Sequence, residues 1–188
     1  SLSKRYETYG IDTSKLAIEF CRKRGLKNIY QCTLDNFPNR DLQFELITLL
    51  DVIEHIEDDL GVLKKSKEFL KPGGYVIVTV PAYQWLWSRH DEINHHKRRY
   101  VKPQLKELLT AAGFSVELTS YLNTLLFPVA VIDRTIQKIT GSNDDRTLNI
   151  PASPVNTFLR GVFSYESGLL QRTSLPFGLS IIAIGRKR

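Results

Sequence analysis

The amino-acid sequence predicts an α/β fold, built as an open, doubly wound sheet with helices on both faces. Up to Pro81, short apolar segments of strand length alternate with helical segments, which is typical of parallel strands joined by helices. Glycine or proline marks the ends of the predicted helices. The composition agrees with this class, because 42% of the residues are hydrophobic and 24% are charged, as in ordinary globular domains.

The first part of the chain contains three predicted strands and two helices. Residues 5–12 form a short strand, and residues 13–25 form a helix with capping residues at both ends. Residues 28–34 are a second strand. Residues 44–50, FELITLL, are almost entirely apolar, which predicts a strand buried on both faces. A polar helix over residues 58–70 then stops at the sequence KPGG, because proline and glycine end helices.

The remaining part begins with another strand, residues 75–80, that is predicted to be fully buried. The segment after Pro81 is aromatic and basic and has no clear period. It is followed by an amphipathic helix over residues 103–112, an alternating strand over 114–122, an apolar and basic insertion over 124–175, and a final strand over 179–185.

Charge and cysteine content limit the partners and the compartment. The net charge of +6 raises nucleic acid and an anionic membrane surface as partners. The sequence has neither a dense basic helix nor an NPPY-like base-flipping tetrad, which disfavours nucleic acid. No apolar run reaches the length of about 18 residues that predicts a membrane span. Cys21 and Cys32 match no zinc pattern and are predicted to be buried, unpaired thiols in a reducing cytoplasm.

Three polar features follow predicted strand ends, namely Asp12, the corner at residues 33–35, and Asp51. In open α/β sheets, ligands bind beyond the carboxyl ends of the strands. A carboxylate at such an end can accept both ribose hydroxyls of a nucleoside, a need that NAD and S-adenosylmethionine (SAM) share. Capping of the following helix is the structural alternative for Asp12.

Four segments together carry a family resemblance. YGIDTSKLAIEFCRKRG, LDNFP, FELITLLDVIEHIED and LKPGGYVIVTVP, in this order and spacing, resemble the class I SAM-dependent methyltransferases of the ubiquinone-biosynthesis and small-molecule type. The resemblance implies SAM as the cofactor, a Rossmann-like sheet, and an antiparallel last strand, to which LSIIAIGRK is similar. It also implies methyl transfer to a small-molecule or lipid-intermediate acceptor.

The resemblance assigns cofactor-binding roles at these strand ends. Asp12 is implied to bind the ribose hydroxyls. Six further residues are implied along the cofactor: Thr33 and Leu34 beside the adenine, Asp35 at its amino group, Leu50 and Asp51 along the methionine moiety, and His55 closing over it. The structural alternatives are capping of the next turn for Asp51 and packing beneath that turn for His55.

The chain departs from the family at its beginning. The family's first strand and glycine-rich loop precede the second strand by about 20 residues, whereas only residues 1–4 precede the corresponding strand here. Backbone N–H groups of that loop contact the cofactor, and glycine permits the close approach. The sequence also contains no methionine. We therefore expect an N-terminally truncated chain that by itself binds SAM weakly or not at all and is inactive in that case.

The aromatic and basic segment over residues 82–102 lies where the family places residues that face the acceptor. Its candidate catalytic bases are His90, Asp91 and His95, with His96 as a further candidate. A general base assists methyl transfer to a hydroxyl by about a hundredfold or more. No metal site is predicted, because the spacing of these four residues matches no standard pattern.

Other residues of this segment suggest how an acceptor could be held. The basic run of residues 97–99 suits an anionic group, and Tyr83, Trp85 and Trp87 suit an aromatic wall. An ordinary surface loop is the alternative. The insertion contains two apolar stretches at helical spacing, for which packing on the sheet and on each other is one interpretation. The functional interpretation is a lid over an apolar or lipid-like acceptor approached from an anionic membrane, with headgroup contacts from Arg134, Lys138, Arg160 and Arg172.

The whole chain, residues 1–188, is predicted to form one methyltransferase-like domain. Its parts are a partial cofactor-binding half (1–81), an acceptor-side loop, helix and strand (82–123), a helical insertion (124–175) and the closing strand (176–188). A non-catalytic member of the same fold is the main alternative. An NAD-type oxidoreductase is disfavoured by KPGG before a strand. The sequence leaves open whether the protein forms a homodimer.

Overall fold

The computed structural model describes residues 2–140, 153–170 and 173–188, which form two compact units, Ser1–Gln43 and Phe44–Arg188. The order of strands and helices agrees with the predicted α/β fold, although a 3-10 turn and not an α-helix lies between the second and third strands. The strands are β1 (Tyr9–Asp12), β2 (Asn28–Gln31), β3 (Phe44–Leu50), β4 (Leu70–Pro81), β5 (Phe114–Leu122) and β6 (Ser180–Lys187). The helices are α1 (Lys15–Lys23), α2 (Asp59–Glu68), α3 (Arg89–Ile93), α4 (Lys102–Ala111), α5 (Phe127–Thr140) and α6 (Ser153–Leu170).

The first unit is a βαβ arrangement. Strands β1 and β2 pair in parallel, and α1 connects them and contacts both. The side chain of Ser14 caps α1 by accepting a hydrogen bond from the N–H of Ala17. Strand β2 ends at Gln31, three residues earlier than predicted, because the chain enters a short 3-10 turn over Leu34–Asn36.

The prediction that both cysteines are buried is wrong, because Cys21 and Cys32 are only half-buried. They are unpaired, as expected. Within the described residues of the first unit, only Ile18 and Phe37 among the hydrophobic residues are fully buried. A unit of this size has little interior, so most of its apolar side chains keep contact with solvent.

The second unit contains a four-stranded sheet in the order β3-β4-β6-β5. Strand β3 is parallel to β4, while β6 is antiparallel to both β4 and β5. The predicted antiparallel closing strand is therefore confirmed. Because β5 and β4 both oppose β6, the carboxyl ends of β3, β4 and β5 lie at the same edge of the sheet.

Helices α2 and α4 cover one face of this sheet. The buried side chains of that core include Val76, Val78 and Val80 of β4, Ile181 and Ala183 of β6, Leu63 of α2, and Leu105 and Leu109 of α4. Full burial of one such aliphatic side chain contributes about 1.5–3 kcal/mol. The packing of α2 and α4 on this face therefore stabilises the sheet of the second unit.

The prediction that β3 is buried on both faces is wrong. Leu46 and Leu50 are 43% and 55% exposed. In the described structure β3 has a strand neighbour on one side only, and an edge strand buries less of its surface than a central one. Strand β4 is also not fully buried, since Tyr75 is 36% exposed and alternate residues are half-buried.

The KPGG sequence does not separate a helix from a strand as predicted. Helix α2 ends at Glu68, and β4 already begins at Leu70, so Lys71–Pro72–Gly73–Gly74 lies within the strand. The register with β3 shifts at this point. Gly73 has a φ of 77°, and a Cβ on Gly74 would lie 2.9 Å from the carbonyl oxygen of Lys71. The two glycines thus permit an irregularity that side chains would block.

The insertion contains two helices, α5 and α6, which agree with the apolar segments at helical spacing in the sequence. Phe127 of α5 packs against Tyr83, which follows β4. Glu166 of α6 accepts hydrogen bonds from the backbone N–H groups of Asn123 and Leu125, which follow β5. Both helices therefore contact segments at the carboxyl edge of the sheet.

Part of the predicted headgroup site cannot be placed, because the side chain of Lys138 and all of Arg172 lie outside the described residues. Among the helices that the structure describes, none combines the length and apolar character needed to cross a membrane.

Candidate functional site

Backbone strain concentrates at the carboxyl edge of the four-stranded sheet. Asp51, Tyr83 and Asn123, which follow β3, β4 and β5, have φ angles of 52°, 57° and 61°. Positive φ is unfavourable for residues with a side chain, least so for asparagine and aspartate. Such residues persist where the surrounding structure enforces them, and they are frequent at functional sites. This edge is therefore the candidate functional site.

The turn after β3 presents the predicted residues Leu50, Asp51 and His55. The N–H of Asp51 donates to the carbonyl oxygen of Thr79 at 3.0 Å and to its hydroxyl at 3.1 Å, which fixes the turn on β4. Leu50 and Asp51 are exposed, whereas His55 is half-buried at the end of the 3-10 turn Ile53–His55. The residue that precedes this turn is Val52, so Asp51 is not its N-cap.

Asp91 is the centre of a buried hydrogen-bond network. Its carboxylate is 0% exposed. It accepts hydrogen bonds from the N–H and hydroxyl of Ser88, from Nδ1 of His96 at 2.9 Å, and from Nε and Nη2 of Arg99 at 2.8 and 3.0 Å. Burial opposes ionisation, but the hydrogen bonds from Arg99 and His96 outweigh it and lower the pKa of Asp91 to about 2.

The ionised Asp91 determines the tautomer of His96. A carboxylate only accepts hydrogen bonds, so Nδ1 of His96 carries a proton and Nε2 is left to accept a proton or bind a metal. The backbone N–H of Lys97 donates to the carbonyl oxygen of Glu54 at 2.8 Å. This bond joins the segment that carries His96 to the turn that carries Glu54 and His55.

Glu54, His55 and His96 form a compact group, called here the Glu54–His55–His96 cluster. The rings of His55 and His96 meet edge to face with centroids 4.6 Å apart. One potential ligand atom from each of the three residues lies within 4.8 Å of the others. The cluster joins residues that are 42 positions apart in the chain, between Glu54 and His96.

The carboxyl group of Glu54 is unusual in its burial. Glu54 is 0% exposed, and neither carboxylate oxygen has a hydrogen-bond partner in the described structure. Burial raises the pKa of Glu54 to about 7. Burial and the neighbouring His96 lower the pKa of His55. The cluster therefore places groups with shifted pKa values together, as active sites do.

His90 and His95, the other predicted bases, are exposed. The ring of His90 lies near the cluster, with its centroid 6.4 Å from that of His96. His95 occupies a turn with a φ of 56°. Of the four candidate bases in the segment, Asp91 and His96 are thus brought into direct contact, while His90 and His95 lie at its surface.

The basic run of residues 97–99, which the sequence suggested for an anionic acceptor group, is paired with carboxylates of the chain itself. Its three ion pairs are Lys97–Glu57 at 2.6 Å, Arg98–Asp59 at 3.0 Å and Arg99–Asp91 at 2.8 Å. These carboxylates neutralise part of the positive charge that an anion would meet at this run.

Aromatic side chains line the same edge. Tyr83 stacks on Tyr121, with ring centroids 5.1 Å apart, and contacts Trp85 and Phe127 at 5.7 Å each. The predicted Tyr83 and Trp85 are thus joined by Tyr121 and Phe127, which sequence reasoning missed. Trp87, the third predicted member, is half-buried.

The remaining predicted cofactor residues lie together in the first unit, at the carboxyl edge of β1 and β2. Thr33 and Asp35 are exposed and Leu34 is half-buried, just beyond β2. Asp12 is exposed, and its Oδ1 accepts a hydrogen bond from the N–H of Ser14 at 2.7 Å. Since Ser14 caps the helix, Asp12 is not the helix cap. An exposed carboxylate beside a strand end fits the hydroxyls of a ribose.

Glu54 is the most informative residue that the sequence reasoning missed. Its position was visible, because it directly precedes the predicted His55 in the segment after a strand end. Its burial and its approach to His96 were not visible, since both depend on how a distant segment folds back on the turn.

Comparison with known proteins identifies the family. The family model described as "Methyltransferase domain" matches residues 3–119, and the chain belongs to this family. The mixed α/β sheet with its antiparallel β6 belongs to a fold that this chain shares with solved SAM-dependent methyltransferases.

Individual relatives agree with the family. The chain is 23% identical over 132 residues to a ubiquinone biosynthesis O-methyltransferase of Marinobacter nauticus, covering 58% of this chain and 56% of the relative. It is 29% identical over 113 residues to a probable S-adenosylmethionine-dependent methyltransferase of Mycolicibacterium smegmatis, covering 58% and 44%. The chain thus spans about half the length of the curated relatives it matches.

The solved structures show the same fold. A SAM-dependent methyltransferase of Thermotoga maritima, described as a possible histamine N-methyltransferase, superposes with a TM-score of 0.60 at 21% identity. The alignment covers 96% of this chain and 73% of that chain.

Proposed function

We propose that this protein transfers a methyl group from SAM to a hydroxyl group of a small-molecule or lipid-like acceptor. The observation that carries the proposal is the Glu54–His55–His96 cluster at the carboxyl edge of the sheet, with His96 oriented by Asp91 at 2.9 Å. Membership of the methyltransferase family supports the reaction class. The relative from Marinobacter nauticus, which is named an O-methyltransferase, supports an oxygen acceptor.

SAM supplies a methyl group on a sulfonium, ready for in-line displacement. In the first unit, Asp12 would hold the ribose hydroxyls, and Thr33, Leu34 and Asp35 would surround the adenine. The exposure of Asp12 and Asp35 supports these roles, because a ligand must reach them. In the second unit, Leu50, Asp51 and His55 would line the methionine end. The exposure of Leu50 and Asp51 and the fixed turn that carries them support this assignment.

Positioning is the main contribution that the protein makes to such a reaction. Holding the acceptor atom in line with the methyl group can contribute about 7–11 kcal/mol to lowering the barrier. The turns at Asp51 and Tyr83 and the aromatic cluster of Tyr83, Trp85, Tyr121 and Phe127 would position a planar or apolar acceptor.

A hydroxyl acceptor must also lose its proton. Proton transfer by a positioned group contributes about a hundred- to ten-thousandfold. We assign this step to the Glu54–His55–His96 cluster. Asp91 acts as a positioning residue, because its oxygens already accept hydrogen bonds from three residues and its contact with Nδ1 orients the ring of His96.

Helices α5 and α6 would cover the acceptor. Their contacts with Tyr83 and Asn123 support a position over the carboxyl edge. Val129, Ile132 and Ile136 recur on one face of α5 and are 67%, 60% and 54% exposed. This apolar face, together with the exposed Arg160 of α6, supports peripheral contact with an anionic membrane that carries the acceptor.

The full-length protein should be incubated with methyl-labelled SAM and matched phenol, catechol and aniline compounds, including forms with isoprenoid tails. We expect label on oxygen. Glu54→Gln and His96→Asn should lower the rate at least tenfold, whereas Glu92→Gln, an exposed carboxylate of the same segment, should leave it unchanged. Transfer to the anilines alone would contradict a hydroxyl acceptor, and SAM binding without any transfer would favour the non-catalytic alternative.

A further inference from the structure

We propose that the Glu54–His55–His96 cluster is a binding site for a divalent first-row transition-metal ion of the zinc or cobalt type. The inference deepens the proposed function, because such an ion would hold and activate the acceptor hydroxyl. It differs from the metal site that the sequence disfavoured, since Glu54 and His55 replace His90, Asp91 and His95 as ligands.

The donor set is the first argument. Two imidazoles and one carboxylate form the ligand set of catalytic zinc sites that keep an open coordination position, and of non-haem iron sites. The potential ligand atoms of the three residues lie within 4.8 Å of one another. Ligands at metal–ligand distances of about 2.0–2.2 Å are separated by about 3–4 Å, so small side-chain rotations would close the site.

The unpartnered carboxyl group of Glu54 is the second, independent argument. It is 0% exposed, and both of its oxygens lack a hydrogen-bond partner in the described structure. A buried carboxylate without a partner is costly, and protonation alone would still leave the O–H without an acceptor. A cation between Glu54 and the two imidazoles would satisfy the carboxylate directly.

The support around the cluster is the third argument. Metal-bound histidines usually donate their other ring N–H to a carboxylate, which orients the ring and makes it a better ligand. Nδ1 of His96 has this partner in Asp91 at 2.9 Å, and Arg99 holds Asp91 in turn. The bond from the N–H of Lys97 to the carbonyl oxygen of Glu54 at 2.8 Å connects the two ligand segments.

The chemistry of such an ion matches a methyl acceptor with an oxygen nucleophile. A metal ion lowers the pKa of a bound hydroxyl and orients its oxygen. The cluster would then act in deprotonation through the ion and not as a free base: the acceptor oxygen would occupy the open position, and its proton would pass to solvent. Three protein ligands of which one is anionic leave a net positive charge that stabilises the resulting oxyanion.

The test is a titration with Co²⁺ alone, without SAM or acceptor, followed by visible absorption and calorimetry. We expect one saturable site per chain. Glu54→Gln, which keeps the shape of the side chain, should weaken binding at least tenfold, and so should His96→Asn. Asp91→Asn should weaken it by about 10- to 100-fold, as substitutions of such supporting carboxylates do. His90→Asn and His95→Asn are the matched controls and should leave the affinity unchanged.

Circular dichroism of each variant separates loss of metal binding from loss of folding, and Glu54→Gln decides the matter if Asp91→Asn does not fold. The absence of saturable binding at millimolar Co²⁺ would overturn the proposal. Equal affinity in Glu54→Gln, or loss in His90→Asn instead, would overturn it as well. Because the readout needs no turnover, a protein that binds cobalt but transfers no methyl group would refute the proposed function alone.

Discussion

The carboxylate of Asp91 and Nδ1 of His96 are joined by a hydrogen bond of 2.9 Å, inside a network that also contains the buried guanidinium of Arg99. This bond connects two kinds of interaction. On one side it belongs to a buried ion pair that holds the segment after β4 together. On the other side it orients a ring of the Glu54–His55–His96 cluster. A substitution at Asp91 should therefore affect both stability and the site.

The first prediction concerns the stability that Asp91 confers. Asp91→Asn should lower the free energy of unfolding by about 3–5 kcal/mol, because it leaves the buried Arg99 without a charged partner. Urea denaturation measures the change. Glu57→Gln is the control, because it removes a carboxylate whose side chain is 81% exposed and should change stability far less. Equal effects of the two substitutions would contradict the structural role of the network.

The second prediction concerns the attachment of α5. Phe127→Ala removes ring contacts with Tyr83, Trp85 and Phe177, each of which contributes about 0.5–1.5 kcal/mol beyond burial. Limited proteolysis should then cut within α5 faster than in the unsubstituted protein. Val129→Ala, at a position that is 67% exposed on the same helix, should leave the cleavage rate unchanged. Faster cleavage in both variants would mean that these ring contacts do not hold the helix.

The third prediction concerns membrane contact through α5. Ile132→Asp places a charge on its exposed apolar face and should reduce flotation with anionic vesicles at low salt. Leu16→Asp, which alters an equally exposed apolar residue of α1, should float like the original protein. If the original protein does not float with anionic vesicles, a soluble acceptor replaces the lipid-like one.

The fourth prediction concerns removal of metal. Dialysis against a chelator should lower methyl transfer at least tenfold, and added Co²⁺ or Zn²⁺ should restore it, because the ion would activate the acceptor hydroxyl. Binding of SAM should survive the same treatment, since the residues assigned to it are separate from the ion apart from His55. Full activity after chelation, with metal content checked by elemental analysis, would exclude a role for the ion in catalysis.

Local patterns in the sequence predicted much of the fold. The bounds of β3 and β5 agree with the prediction, and α1, α2 and α4 agree closely, because capping residues, glycines and apolar periodicity are local signals. The exposure of Leu46 and Leu50 was not predictable from an apolar run, since burial depends on what covers a strand. The irregular start of β4 was missed, because KPGG is compatible both with the end of a helix and with a distorted strand.

The candidate site was only partly visible in the sequence. Residues such as Asp51 could be placed by their position after a strand. The ion pair of Asp91 with Arg99 and the approach of His96 to Glu54 depend on turns such as that at His95, where φ is 56°. No local sequence pattern predicted this backbone conformation. For the same reason the basic run of residues 97–99 suggested a ligand site, although its charges neutralise carboxylates of the chain itself.

The most direct test of the central claim, that this protein uses SAM, is titration calorimetry of SAM into the full-length protein. We predict saturable binding, weakened about 10- to 150-fold in Asp12→Ala by the loss of charge-assisted hydrogen bonds of 1.5–3 kcal/mol. Asp41→Ala, which removes another exposed carboxylate of the first unit, should bind like the original protein. Absence of saturable binding, or equal affinity in Asp12→Ala and the original protein, would contradict the account.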